Sequence, residues 1–199
     1  MLKKLILSKE RIIILVSVFL FIGCVTPPIK VGYLDKNYYE KQINSICVLP
    51  IIDERKDKSY KVDFTDKILQ QIQKTIETKG YNVEAANNFS EAKRVTIPEI
   101  LEMTSEELSQ LGPSSAQTIL FIYLEDVASR YLVMSYTFKM ELRAVLIDKK
   151  DGTILWRDKG VGSAGQGGLI SGVVGPMLKT GVINSCINNM FVSLPQSRM

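Results

Sequence analysis

From Met134 to Arg143 the chain alternates without a break. Met134, Tyr136, Phe138, Met140 and Leu142 are apolar, and Ser135, Thr137, Lys139, Glu141 and Arg143 between them are polar. Successive side chains of a strand point to opposite faces, so this pattern puts one face in a core and the other in water. A helix would scatter the same positions around its surface. The pattern therefore predicts a strand over "YLVMSYTFKMELRAVLID". "KKDG" follows as a turn, with Asp151-Gly152 suited to positive φ, and "TILWRDKGVG" returns as the hairpin partner, carrying the only tryptophan, Trp156. "TILFIYLEDVAS", from Thr118, is a long strand before them. Three such segments in succession commit the chain to a sheet, and an amphipathic sheet needs a layer to cover it.

The preceding segments supply that layer. "ICVLPII" is a short continuous apolar run, the mark of a strand buried on both faces. "DERKDKSYK" after it reads as a solvated loop. Over Asp63–Lys79, Phe64, Ile68, Ile72 and Ile76 recur every four residues as a helical stripe, and Gly80 stands where a C-terminal cap belongs. Tyr81–Ala86 is a second short strand. Pro98 opens a helical turn, and Thr104–Leu111 is a further helix ended by Gly112-Pro113. The expected fold is a single α/β domain: a mixed sheet of about five strands with helices packed against it, in the order β-α-β-α-β-β-β-α. Its core should include Val48, Leu49, Ile68, Ile72, Ile119, Phe121, Leu142, Leu146 and Trp156.

The chain closes on a glycine-rich passage, "GVGSAGQGGLISGVVGPMLKTG", and then an amphipathic helix in which Val182, Ile183, Cys186, Ile187, Met190, Phe191 and Leu194 repeat at three and four. Ala164, Gly168 and Gly172 form a small-xxx-small series. The passage suits either flexible linkage or tight packing against a partner. Lys179-Thr180 imitates a phosphate-binding loop, but that motif requires glycine directly before the lysine, and Leu178 occupies the place.

The other end carries an address. Lys3, Lys4, Lys9 and Arg11 precede the apolar run Ile12–Gly23, which is too short for the roughly 20 residues a bilayer-crossing helix needs. A basic stub followed by a short apolar segment is the layout of a secretion signal. It ends in Phe21-Ile22-Gly23-Cys24, similar to a bacterial lipobox: residues 1–23 would be removed, and the Cys24 thiol would take a diacylglyceryl group, with further acyl chain such as palmitate. Each buried CH₂ adds ~0.8 kcal/mol of membrane attachment, so three chains hold firmly. Val25, rather than Asp, follows the cysteine and favours the outer membrane. Residues 24–45, with Pro27-Pro28 and no sustained period, read as a lipidated tether, and residues 46–199 as the periplasmic domain. Tyr33, Tyr38 and Tyr39 could pack back on that domain.

Removing residues 1–23 takes four of 25 basic residues and one of 21 acids, so the net charge falls from +4 to +1. No nucleic-acid surface is expected of such a chain. It contains no histidine, which removes Ser-His-Asp and Cys-His triads, His-ligated zinc and the commonest general base. Cys47 and Cys186 are too few for a structural zinc site, and both sit among apolar residues, which favours buried thiols over a disulfide. Glu106-Glu107 suits a helix N-terminus better than acid–base work. Asp53 and Glu54 are the remaining carboxylates that could line a cleft. No catalytic residue, metal or cofactor is expected.

The lipobox, "VLP" at Val48–Pro50, "KGYNV" at Lys79–Val83, "LIDKKDGTILW" at Leu146–Trp156 and the glycine-rich run after it together carry a resemblance. The chain resembles a family of Gram-negative outer-membrane lipoproteins related to the curli-secretion lipoprotein and to the lipoprotein activator of peptidoglycan synthases. That resemblance implies a non-enzymatic, lipid-anchored accessory in envelope assembly or transport, with regulation of peptidoglycan synthesis as the alternative and an envelope hydrolase behind both. The implied partners are the membrane, through lipid on Cys24, and other envelope proteins, such as a secretion or cell-wall complex, with oligomers allowed. The glycine-rich passage and the sheet edges are the expected contact surfaces.

Overall fold

The computed structural model describes residues 32–85, 99, 102–132, 135–167 and 171–198. Among them the order is β1 (Tyr33–Leu34), a 3-10 turn (Tyr38–Glu40), β2 (Ser45–Val48), β3 (Ile52–Asp53), α1 (Thr65–Thr78), β4 (Asn82–Ala85), α2 (Ser105–Gln110), β5 (Thr118–Leu132), β6 (Ser135–Asp148), β7 (Ile154–Gly167) and α3 (Ser171–Phe191). The strands form one seven-stranded mixed sheet in the order β1-β7-β6-β5-β2-β4, with β3 also against β5. β2 runs parallel to β4 and β5, while β5, β6, β7 and β1 are successively antiparallel.

The class is the expected α/β mixed sheet, with seven strands in place of about five. Pro50 accounts for one of the extra pair. With no N–H to donate, it interrupts the apolar run. β2 then pairs with Thr118–Leu120 of β5, and β3 rejoins the same strand at Tyr123–Leu124. The other is β1, which corrects the expected tether over 24–45. Tyr33 and Leu34 pair with Arg157 and Trp156, and Gly32 lies so close to β7 that a Cβ there would stand 2.1 Å from the Arg157 carbonyl oxygen. Tyr38 and Ile43 are buried, and the Tyr38 and Tyr81 hydroxyls share a 2.7 Å hydrogen bond. The chain is built into the domain from Gly32 onward. The Pro98 turn lies outside the described residues.

Both sheet faces carry apolar cores. On one face α1 and α3 cover Leu120, Ile122, Leu124, Phe138, Met140, Leu142 and Trp156, with Ile68, Ile72 and Ile76 of α1 fully buried there. On the other, Cys47, Leu49, Ile119, Phe121, Tyr123, Val145 and Ile147 pack beneath Met103 and Leu111 at the two ends of α2. All nine expected core residues are buried. Thr104 and Glu107 close a reciprocal capping box on α2, so Glu107 serves the helix start. Gly80, Gly112 and Gly152 take positive φ at the ends of α1, α2 and the β6–β7 turn.

The glycine-rich passage is neither linker nor loop in its described parts. β7 runs on to Gly167, and Ser171–Gly181 is the first half of α3. A Cβ on Gly160 would lie 2.1 Å from the Cys186 carbonyl oxygen, and one on Gly162 2.2 Å from that of Val182. The glycines allow α3 to lie directly on β7. Cys186 donates to the Gly160 carbonyl at 3.2 Å, and Asn189 Nδ2 to that of Val161 at 3.0 Å. Ala164 is in a strand, so the helical small-xxx-small spacing does not apply to it.

Candidate interaction face

β5 changes parity in its middle, and that change builds the polar face. Leu120, Ile122 and Leu124 enter the α1–α3 core, yet the next residue to do so is Val127. The register slips between Leu124 and Asp126, a β-bulge opposite Leu142 and Glu141. The bulge leaves two consecutive acids, Glu125 and Asp126, among the polar side chains of β6 and β7. Glu54, just past β3, joins them.

The result is a continuous chain of ion pairs. Arg143 binds Glu54 at 2.6 Å and Glu125 at 2.6 Å. Lys159 bridges Glu125 at 2.8 Å and Glu141 at 2.6 Å, and Lys139 bridges Glu141 at 2.5 Å and Asp126 at 3.8 Å. Hydrogen bonds from Lys139 and Lys159 hold the Glu141 carboxyl below its ordinary range; Glu141 raises Lys139 in turn, and Glu125 followed by Glu141 raises Lys159. Arg143 also lies over the Tyr123 ring, 4.8 Å from its centre, where the ionic half of this face meets the apolar half. Burial, with Glu54 nearby, pushes the Tyr123 hydroxyl upward. Every charged group of the network faces an opposite charge.

Of the three strands under this network, the two outer ones, β5 and β7, have sides without a strand partner among the described residues. Among the described residues, β5 beyond Leu124 is paired only with β6, and β7 beyond Arg157 only with β6. Apart from the Val161 carbonyl, which Asn189 already engages, the backbone groups on these outer sides have no strand partner among the described residues and could pair with a further strand. Val161, 40% exposed, is an apolar side chain on this arm.

The sequence-nominated carboxylates are engaged elsewhere. Asp53 holds the buried Arg55 through contacts of 2.9 Å from Nε and from Nη2, and that hydrogen bonding lowers its carboxyl. Glu54 belongs to the network. Burial pushes the Cys47 thiol up to about 11 and the Cys186 thiol up to about 12. The two cysteines sit in cores on opposite faces of the sheet. Cys24 lies outside the described residues. Among those residues no three His, Cys, Asp or Glu gather as a metal site, and no helix is long and apolar enough to cross a membrane.

Two arrangements escaped the sequence. The ion-pair network needed the β5 bulge and cross-strand register, although alternation alone put Lys139, Glu141 and Arg143 on one face. The second is buried at β7. Trp156 Nε1 donates to Ser193 at 2.9 Å, Ser193 donates to Asp158, and the Trp156 ring stacks on Phe191 at 5.4 Å. Nothing in a lone Asp-Lys pair and a distant serine announces that contact.

The model of a family described as "Putative lipoprotein GNA1162-like" matches residues 34–194. No curated protein matches the chain. Among solved structures, it is similar to lipoprotein GNA1162 from Neisseria meningitidis at 23% identity and a TM-score of 0.49, over 73% of this chain and 99% of that one. It is similar to the PelC dodecamer from Paraburkholderia phytofirmans at 18% identity and 0.48, over 79% and 91%. The LpoB C-terminal domain from Salmonella enterica follows at 13% and 0.30, over 60% and 82%.

Proposed function

The chain belongs to the GNA1162-like lipoprotein family, and on that premise we propose that it is a non-enzymatic envelope protein held at the outer membrane by lipid on Cys24. It serves there as an accessory in assembly or transport, offering a surface to other envelope proteins. The observation that carries the reading is the spacing of anchor and fold. Cys24 stands eight residues before Gly32, where the domain begins against β7. Those residues reach about 26 Å fully extended, at about 3.3 Å each. The 24–45 tether read from sequence would have reached ~65 Å by the same measure. The domain works close to the membrane that holds it.

The polar face supports a binding role. A general acid at neutral pH needs a carboxyl pushed upward, whereas Glu141 is held down by two lysines. The outer sides of β5 and β7 offer main-chain pairing to an added strand, and the ion pairs beside them offer charge complementarity.

A photo-crosslinking residue at Arg130 on β5 or Ser163 on β7, in the lipidated protein in intact cells, tests the surface; Lys74 on α1 is the control. Envelope lipoproteins or a secretion complex should be captured from the strand positions and not from Lys74. Capture of a cell-wall synthase would replace this role with regulation of peptidoglycan synthesis. Turnover of a cell-wall or lipid substrate by the purified protein would overturn the non-enzymatic reading.

A further inference from the structure

The first eight described residues, Gly32–Tyr39, expose two tyrosines, each beneath an arginine. Tyr33 is 38% exposed, with the Arg157 guanidinium 5.4 Å from its ring centre; Tyr39 is 44% exposed, with that of Arg198 at 4.3 Å. Both arginines are themselves exposed. The arrangement is fixed from below. Asp35 accepts from the Tyr33 hydroxyl at 3.1 Å and from the Asn37 N–H at 2.8 Å, which folds the intervening turn. Tyr38 is drawn into the core by Tyr81, so its neighbour Tyr39 is left facing outward. The carboxyl-terminal tail carries Arg198 to the site: Ser197 N donates to the Lys79 carbonyl at 2.9 Å and Tyr81 to that of Pro195 at 2.8 Å. Tyr39, Gln42, Gln196 and Arg198 line a shallow groove beside it.

This pairing has a chemistry suited to one kind of surface. Tyrosine places an apolar ring and a polar tip at the depth of lipid headgroups, and a guanidinium binds phosphate while its ring partner lies beneath it. Arg157 and Arg198 are exposed and, among the described residues, neither forms an ion pair, whereas Lys41 nearby is held by Asp148 and Asp151. This patch is also the point from which the chain leaves toward Cys24, eight residues away. The geometry points to an anionic lipid surface as the occupant of this patch: Tyr33–Arg157 and Tyr39–Arg198 seat the domain on phospholipid headgroups and set its orientation. The inference rests on the lipid anchor at Cys24 and adds a second contact to it.

Trp156 is fully buried, so a Tyr39→Trp reporter adds a surface emission that a lipid quencher can reach while the Trp156 background is shielded from it. The full lipidated chain carrying it is incorporated into phosphatidylcholine vesicles with or without phosphatidylglycerol, containing lipids brominated near the headgroup. Mass spectrometry of the same sample establishes the acyl chains on Cys24. The reporter should be quenched in the anionic vesicles, and sodium chloride should relieve the quenching. Arg157→Glu and Arg198→Glu should each weaken seating at least about fivefold, the factor for one basic side chain at an anionic surface. Both variants should still float with the vesicles through their acyl chains. Acylated protein that floats without quenching, or is quenched equally in the charge-reversed variants, overturns the seating alone. Protein without acyl chains overturns the anchor and the seating together.

Discussion

Lys41 reaches from just past the 3-10 turn to the β6–β7 turn, where its Nζ lies 2.5 Å from Asp148 and 2.9 Å from Asp151. Partial burial acts to raise the Asp151 carboxyl, but hydrogen bonds from Lys41 and Thr153 outweigh it and hold the group at about 2. An unfolded aspartate titrates near 3.9. The folded value is depressed, so the contact's stabilisation is complete above about pH 4 and is lost as pH falls toward about 2. Asp151 is half exposed, and solvent screening keeps the effect within about 1 kcal/mol. Lys41→Met should therefore lower the urea midpoint at neutral pH, and its deficit against the parent should shrink as pH falls to about 2. A deficit that stays constant over that range would show that the lysine acts through packing instead. The sequence did not place Lys41 near this turn, because the partners are separated by 107 and 110 residues.

Elements with a single, regular period were legible. The isoleucines of α1 recur at four and are buried, and the alternation of β6 divides its side chains between the core and the polar face as expected. One element was missed and one passage was left open between two readings, for one physical reason: their residues owe their conformation to a distant neighbour. β1 exists because β7 presents an edge to Tyr33 and Leu34. The glycine-rich passage suits flexible linkage or tight packing in one dimension; at Gly160 and Gly162 it is tight packing, where only hydrogen leaves room for α3. Ala at Gly160 or Gly162 would drive a Cβ to within 2.2 Å of a helix carbonyl oxygen. Each should cost about 2–3 kcal/mol, at the upper end of overpacking. Gly181, in the same helix, has nothing within 4 Å of an added Cβ. Gly181→Ala should stabilise by about 1 kcal/mol through helix propensity alone. Urea unfolding of the three variants checks the contrast, and equal effects at all three would refute close helix–strand packing.

For the whole molecule, the proposal joins the sheet and its ion-paired face to a lipid anchor at Cys24, which would make the domain a membrane-proximal binding module. The Ile12–Cys24 reading lies outside the described residues and stays a proposal; it differs in kind from the ion-paired face. An address depends on a short contiguous pattern, whereas the face assembles Glu54, Glu125, Glu141, Arg143 and Lys159 from β5, β6, β7 and the residue after β3. The Cys24 anchor is the central proposal, because the short reach to the membrane follows from it. Its most direct test is intact-mass and amino-terminal analysis of the protein from fractionated Gram-negative cells, alongside Cys24→Ala. The expected result is an outer-membrane protein that begins at Cys24 and carries acyl chains, with processing, acylation and membrane retention all lost in the variant. A Cys24→Ala protein that stays in the membrane with residues 1–23 intact would contradict it.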